Sequence, residues 1–133
     1  MSAQDQSAPV RVLLVDDEPS IRAVYPIILR STYEVDVAST GREGLRALAS
    51  RSDYDVIVCD LSMPDVDGPA FYEALSASTP HLLERLVFFS GGLMTARLRT
   101  FVASVPNLFL EKPITVEALC AAIERVRHRA LLG

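Results

Sequence analysis

The chain has 133 residues, half of them hydrophobic, with a formal net charge of -4 and a pI near 5.1. That length carries one domain with a core of its own, and the acidic balance argues against nucleic acid or an anionic membrane surface as a partner. No apolar run approaches the roughly 20 residues that a bilayer span needs, so the composition points to a soluble, cytoplasmic protein.

The opening "MSAQDQSAP" is polar and has no apolar core of a secretory leader; residues 1–9 read as a disordered tail and residues 10–132 as the domain. "VRVLLVD" (10–16) is a near-continuous apolar run, as in a parallel strand covered on both faces. A helix from Pro19 to about Ser31 follows, with Pro26 inside it, where a missing amide and a crowded Arg22 carbonyl predict a kink or a broken turn. "YEVDVAS" (33–39) alternates Val35 and Val37 with Glu34 and Asp36, the pattern of a half-exposed edge strand. Gly41 to Ser50 is helical, with Leu45, Leu48 and Ala49 on one face and Ser39 or Thr40 as cap.

"DVIVCD" (55–60) is a third strand, buried on both faces yet ending in a charge. A helix opens after Asp67, with Pro69 in its first turn and Phe71, Ala74 and Leu75 facing inward. "SASTPHLLE" reads as a loop, and "RLVFFSG" (85–91) and "NLFLEK" (107–112) as the last two strands. The last helix opens at Thr115 and repeats Leu119, Ala122, Ile123, Val126 and Ala130 at helical spacing. Cys59 and Cys120 lie far apart, one in a strand and one in a helix, and read as buried free thiols. His81 and His128 have no metal-ligand spacing and read as surface residues.

Strand–helix alternation implies an α/β fold: a doubly wound, flavodoxin-like, five-stranded parallel sheet with right-handed crossovers and five helices on its two faces. Ligands of such sheets bind outside the carboxyl ends of the strands. Those ends carry "DDE" (Asp16, Asp17, Glu18), Asp60, Ser90 and, in "LEKP", Lys112. In the order 2-1-3-4-5, Asp16, Asp17 and Asp60 converge in one crevice, with Ser90 and Lys112 on its far rim. Three carboxylates at close quarters need a compensating cation; hard oxygen ligands suit Mg²⁺ best, with Mn²⁺ as the alternative. A carboxylate nucleophile at Asp60, a metal, a hydroxyl at Ser90 and an ammonium at Lys112 suit phosphoryl transfer. Taken singly each piece has an ordinary reading: a turn aspartate, a helix-start acid, a loop serine, a solvated lysine.

Together "LLVDDEPSIR", "VIVCDLSMPDVDG", "FFSGG" and "LEKP" resemble the receiver domain of two-component response regulators, the CheY-like family, over roughly residues 10 to 130. The resemblance implies that Asp60 is the phosphoacceptor, taking a phosphoryl group from a phosphohistidine on a sensor kinase or phosphotransfer protein. It implies that Asp17 binds Mg²⁺ directly, Asp16 through water, and Ser62 through its backbone carbonyl. Lys112 and Ser90 would contact the phosphoryl group, and Ser90 with Phe109 would form the switch to a partner-binding surface. It also implies that the Lys112–Pro113 bond is often cis.

Four features depart from a typical regulator: Gly91 where alanine is frequent, Phe109 in place of a tyrosine, Pro26 in the first helix, and "GGLMTARLRTFVASVPN", which is similar to receivers fused to hybrid kinases. No effector domain follows within the chain, so the expectation is a stand-alone or excised receiver without a DNA-binding output. Two other classes remain as alternatives. An aspartyl-nucleophile phosphatase needs a second acid two residues after the nucleophile, where Ser62 stands. A phosphorylation-independent scaffold normally lacks an acid or the lysine, all of which are present. Of the 13 cationic residues, Lys112 alone is a lysine.

Overall fold

The computed structural model describes residues 9–92 and 94–132, and of residues 130–132 the backbone only; the expectations for the tail and for the Ala130 side chain therefore lie outside the described residues. Five strands, β1 (Arg11–Val15), β2 (Glu34–Ala38), β3 (Val56–Asp60), β4 (Leu86–Ser90) and β5 (Phe109–Glu111), alternate with helices α1 (Pro19–Leu29), α2 (Gly41–Ser50), α3 (Gly68–Ser78), α4 (Ala96–Ser104) and α5 (Val116–Leu132). The sheet is parallel throughout, in the order β2-β1-β3-β4-β5.

The two-residue period of a strand sorts the core into two layers. Val12, Leu14, Val56, Val58, Val87 and Phe89 pack against Leu29 of α1 and Leu119, Ile123 and Val126 of α5. Leu13, Val15, Ile57, Cys59, Leu86 and Phe88 face the other way, against Leu48 of α2, Phe71 and Leu75 of α3 and Leu98 of α4. All five residues of β3 and of β4 are buried. Continuous apolar runs and double-sided burial are therefore one fact.

Caps behave as their residue types dictate. The Thr40 hydroxyl accepts from the Glu43 amide at 3.0 Å, Asp67 from Ala70 at 3.1 Å and Thr115 from Ala118 at 3.0 Å, each meeting one of the orphan donors of a helix start.

Several local expectations change. "SASTPHLLE" is not a loop: α3 runs to Ser78, and Pro80–Arg85 forms a 3-10 helix. Pro80 presets the first turn, and Leu82 is fully buried, which ties the segment to the core. α1 continues unbroken through Pro26, which is buried, so the broken turn does not occur. β2 is the half-exposed edge strand expected, though of its two valines only Val35 is buried and Val37 is 43% exposed. Cys59 is buried, whereas Cys120 is only half-buried. In α2 the buried positions are Gly41, Gly44 and Leu48, with Ala49 exposed. A Cβ on Gly44 would stand 2.9 Å from Val15 and 3.0 Å from Phe71, so this helix packs by lacking side chains, which a search for apolar periodicity does not register.

Candidate functional site

The ends of four neighbouring strands, β1, β3, β4 and β5, build the site. The Asp16 amide donates to the Ala38 carbonyl at 3.1 Å and the Leu61 amide to the Phe89 carbonyl at 2.9 Å, so the sheet ladder continues to the acidic residues themselves. Asp16 and Asp60 follow the parity of the layer that faces α1 and α5; Ser90 follows that of the layer facing α2, α3 and α4. Lys112 continues the alternation of Leu108 and Leu110 towards the α1–α5 layer, while Phe109 packs against the opposite one. The charged groups therefore gather on one side of the sheet, and the expected switch pair sits on the other.

Carboxylate oxygens of Asp16, Asp17 and Asp60 lie within 4.8 Å of one another. Asp16 is fully buried, Asp60 is 4% exposed, and Asp17 is open to solvent. Lys112 reaches in from the end of β5. Its Nζ stands 2.8 Å from Asp16 Oδ2, 3.4 Å from Asp60 Oδ2 and 3.5 Å from Glu18 Oε1, and 4.7 Å above the centre of the Phe89 ring, within cation–π range. Burial works against the ammonium, but Asp16 and Asp60 outweigh it and hold Lys112 above the usual lysine range.

Asp60 is shifted upward as well, which for a carboxylate favours the neutral form. Burial and the negative charge of Asp16 raise its pKa to about 6, against the pull of Lys112 and the Ser62 amide, which donates to Asp60 Oδ1 at 3.1 Å. Below it, burial pushes the Cys59 thiol well up, leaving an inert packing residue.

The loop after Asp60 is shaped by two positions. Asp65 has a φ of 64°, a left-handed value that aspartate tolerates better than most residues. Gly68 solves a different problem. Its amide donates to the Leu61 carbonyl at 2.9 Å, and a Cβ there would stand 2.9 Å from Leu61 Cα and 2.5 Å from Leu61 Cδ2. Asp67 caps α3 and also accepts from Arg97 Nη1 at 2.7 Å, tying the first turn of α4 to this loop.

Ser90 is buried, and its hydroxyl has only a long contact, 3.5 Å, to the Gly91 carbonyl; the Lys112 amide donates to the Ser90 carbonyl at 2.8 Å and joins the ends of β4 and β5. Phe109 is half-buried. The Lys112–Pro113 peptide is cis. Two members of the pocket have no role assigned by sequence: Glu18, which stands in the acidic run at the end of the first strand but also suits a helix start, and Phe89, one residue before Ser90, which carries no signal beyond hydrophobicity.

A crevice of carboxylates and an ammonium at the ends of β1, β3 and β5 has a counterpart among known proteins. The family profile of the response regulator receiver domain matches residues 12–124. The chain belongs to that family. In solved structures its receiver fold is similar to a response regulator receiver domain protein from Clostridium thermocellum, with a TM-score of 0.79 and 27% identity, covering 92% of this chain and 98% of that one. It is also similar to the chemotaxis protein CheY4 of Vibrio cholerae, with a TM-score of 0.73, 28% identity, and coverage of 90% and 99%.

Among curated proteins, the chain is 41% identical over 126 residues to the two-component response regulator ARR11 of Arabidopsis thaliana, covering 92% of this chain and 23% of that protein. It is 31% identical over 129 residues to the sensor kinase CckA of Brucella abortus, covering 96% of this chain and 13% of the kinase. The transcriptional regulatory protein GlrR of Escherichia coli is 32% identical over 117 residues, which are 87% of this chain and 26% of the regulator. This receiver thus spans between 13% and 26% of the length of these relatives.

Receiver domains bind Mg²⁺ at an acidic pocket, and the donors present fit such an ion. They are all oxygens, and the three clustered carboxylates face one ammonium, which leaves two negative charges uncompensated. A small hard dication answers both conditions. Among the described residues no helix is long and apolar enough to cross a membrane.

Proposed function

We propose that this receiver accepts a phosphoryl group on Asp60 from a phosphohistidine of a sensor kinase or phosphotransfer protein, in a Mg²⁺-dependent reaction. The observation that carries the reading is a nearly buried carboxylate, Asp60, within 3.4 Å of Lys112 Nζ and clustered with Asp16 and Asp17. An Asp60 oxygen forms the new bond to phosphorus; the phosphorus–nitrogen bond of the donor breaks, and its electron pair leaves with the imidazole. Mg²⁺, held by Asp17, Asp60 and the Ser62 carbonyl, with Asp16 acting through water, would neutralise charge on the incoming group.

The chain's own residues do the rest. Asp16 keeps Lys112 protonated and aimed into the pocket, and the ammonium can move from Asp16 to a phosphoryl oxygen. Ser90 closes on the same group from the opposite layer of the sheet. Its movement makes room for Phe109 and resets the surface of α4, β5 and α5 for a protein partner. A phosphodonor protein must approach beside α1, whose Val24, Ile27 and Ile28 are exposed. The phosphatase alternative would need an acid at position 62, where an exposed serine stands.

The test is intact-mass measurement with acetyl phosphate and Mg²⁺. One added phosphoryl group is expected, and Asp60→Asn should take none. Labelling of that variant at the wild-type rate would refute the assignment, and an unlabelled wild type would favour a phosphorylation-independent scaffold.

A further inference from the structure

Arg22 lies in the second turn of α1, is half-buried, and points back across the β1–α1 loop, where its Nη1 donates to the Asp16 carbonyl at 3.0 Å. Asp16 is otherwise held at every polar atom: its amide by Ala38, Oδ1 by the Glu18 amide at 2.8 Å, Oδ2 by Lys112. The carbonyl is its one main-chain group beyond the reach of the sheet, since β1 ends at Val15. That carbonyl belongs to the peptide plane joining Asp16 to Asp17. Its orientation decides where Asp17 leaves the backbone. Among the described residues the Asp17 side chain makes no hydrogen bond or ion pair of its own, so nothing else aims it.

We infer that Arg22 is a positioning residue for the metal pocket, acting on Asp17 through the Asp16 carbonyl. This rests on the Mg²⁺-dependent reading above. A guanidinium suits the task because it stays charged and donates in a fixed plane, and groups that orient metal ligands commonly matter about tenfold or more for affinity. Geometry and charge make opposite demands here. As a mere positive charge beside a cation site, Arg22 would repel the metal, and its removal would tighten binding. As a positioning group, its removal loosens binding.

The experiment is calorimetric titration of the full chain with Mg²⁺, comparing wild type with Arg22→Met, which keeps the apolar stem, and Arg22→Gln, which is too short to reach; circular dichroism of the metal-free proteins identifies which variants are folded. The expected result is a Kd raised roughly tenfold in each folded variant. An unchanged Kd with a lower metal-free melting temperature would make Arg22 structural only, and a lowered Kd would make it a charge only; either overturns the inference. A wild type that binds no Mg²⁺ would instead overturn the reading beneath it.

Discussion

Replacing Asp60 by asparagine should stabilise the metal-free protein. The Asp60 carboxyl has a pKa of about 6 in the fold against an ordinary 3.8, so at neutral pH the folded state carries an ionised group that its surroundings disfavour. A shift of about two pKa units corresponds to about 2–3 kcal/mol at 1.36 kcal/mol per unit. Asparagine keeps an oxygen to accept from the Ser62 amide, and Lys112 keeps Asp16 at 2.8 Å. The sign follows from proton linkage. Between pH 3.8 and 6 the folded state binds more protons at this site than the unfolded state, so the wild type loses stability as pH rises through that window. The Asn variant has no such loss. In EDTA, the difference in melting temperature should be near zero below pH 4, grow between pH 4 and 6, and level off above pH 7 at about 6–12 °C. Thermal unfolding followed by circular dichroism across this range measures it. An Asn variant no more stable than wild type at pH 7.5, or a difference independent of pH, would refute the electrostatic account. Saturating Mg²⁺ should erase or reverse the difference, because the ion stabilises the wild type that binds it.

Lys112→Arg should fold and bind Mg²⁺ but lose the conformational response to phosphorylation: the lysine stem passes within about one carbon's contact of Gly91, where even a Cβ would stand 3.3 Å away, and a planar guanidinium is bulkier. A wild-type pattern of NMR shifts in the phosphorylated variant would show that charge alone suffices. Asp17→Asn should weaken Mg²⁺ binding in titration while leaving metal-free stability unchanged or slightly higher, since it removes both a ligand and a repulsion. Phosphorylation of the wild type should shift amide resonances through residues 94–112, because Arg97 ties α4 to the loop after Asp60 and Phe101 stacks edge-on against Phe88 at 5.3 Å; shifts confined to the loops of Asp17 and Asp60 would count against that route. Gly68→Ala should cost about 1–3 kcal/mol in denaturant unfolding, since its Cβ would press on the Leu61 backbone.

Strands β1, β3 and β4 were legible because a parallel strand covered on both faces must be apolar along its whole length, and so were the polar residues at their ends, Asp16, Asp60 and Ser90. Strand–helix alternation implied a parallel sheet; the convergence of Asp16, Asp17 and Asp60 rested in addition on the order 2-1-3-4-5, which the structure has, and Lys112, expected on the far rim, reaches in to Asp16. Where local pattern and burial part company, the reading failed. The 3-10 helix at Pro80–Arg85 carries a proline and no long periodic face, and one buried leucine decides it.

What the sequence by itself determined is the family, the layer order and the residue types at the strand ends, because hydrophobic period and chain order are local properties that survive without coordinates. Only the tertiary structure decided that Lys112 lies within 3.5 Å of Glu18, 94 positions away, that Arg22 turns back to the Asp16 carbonyl, and that glycines 44 and 68 are points of contact. Those facts depend on the twist and spacing of packed elements, and a side chain's reach across a loop has no period that a sequence could display.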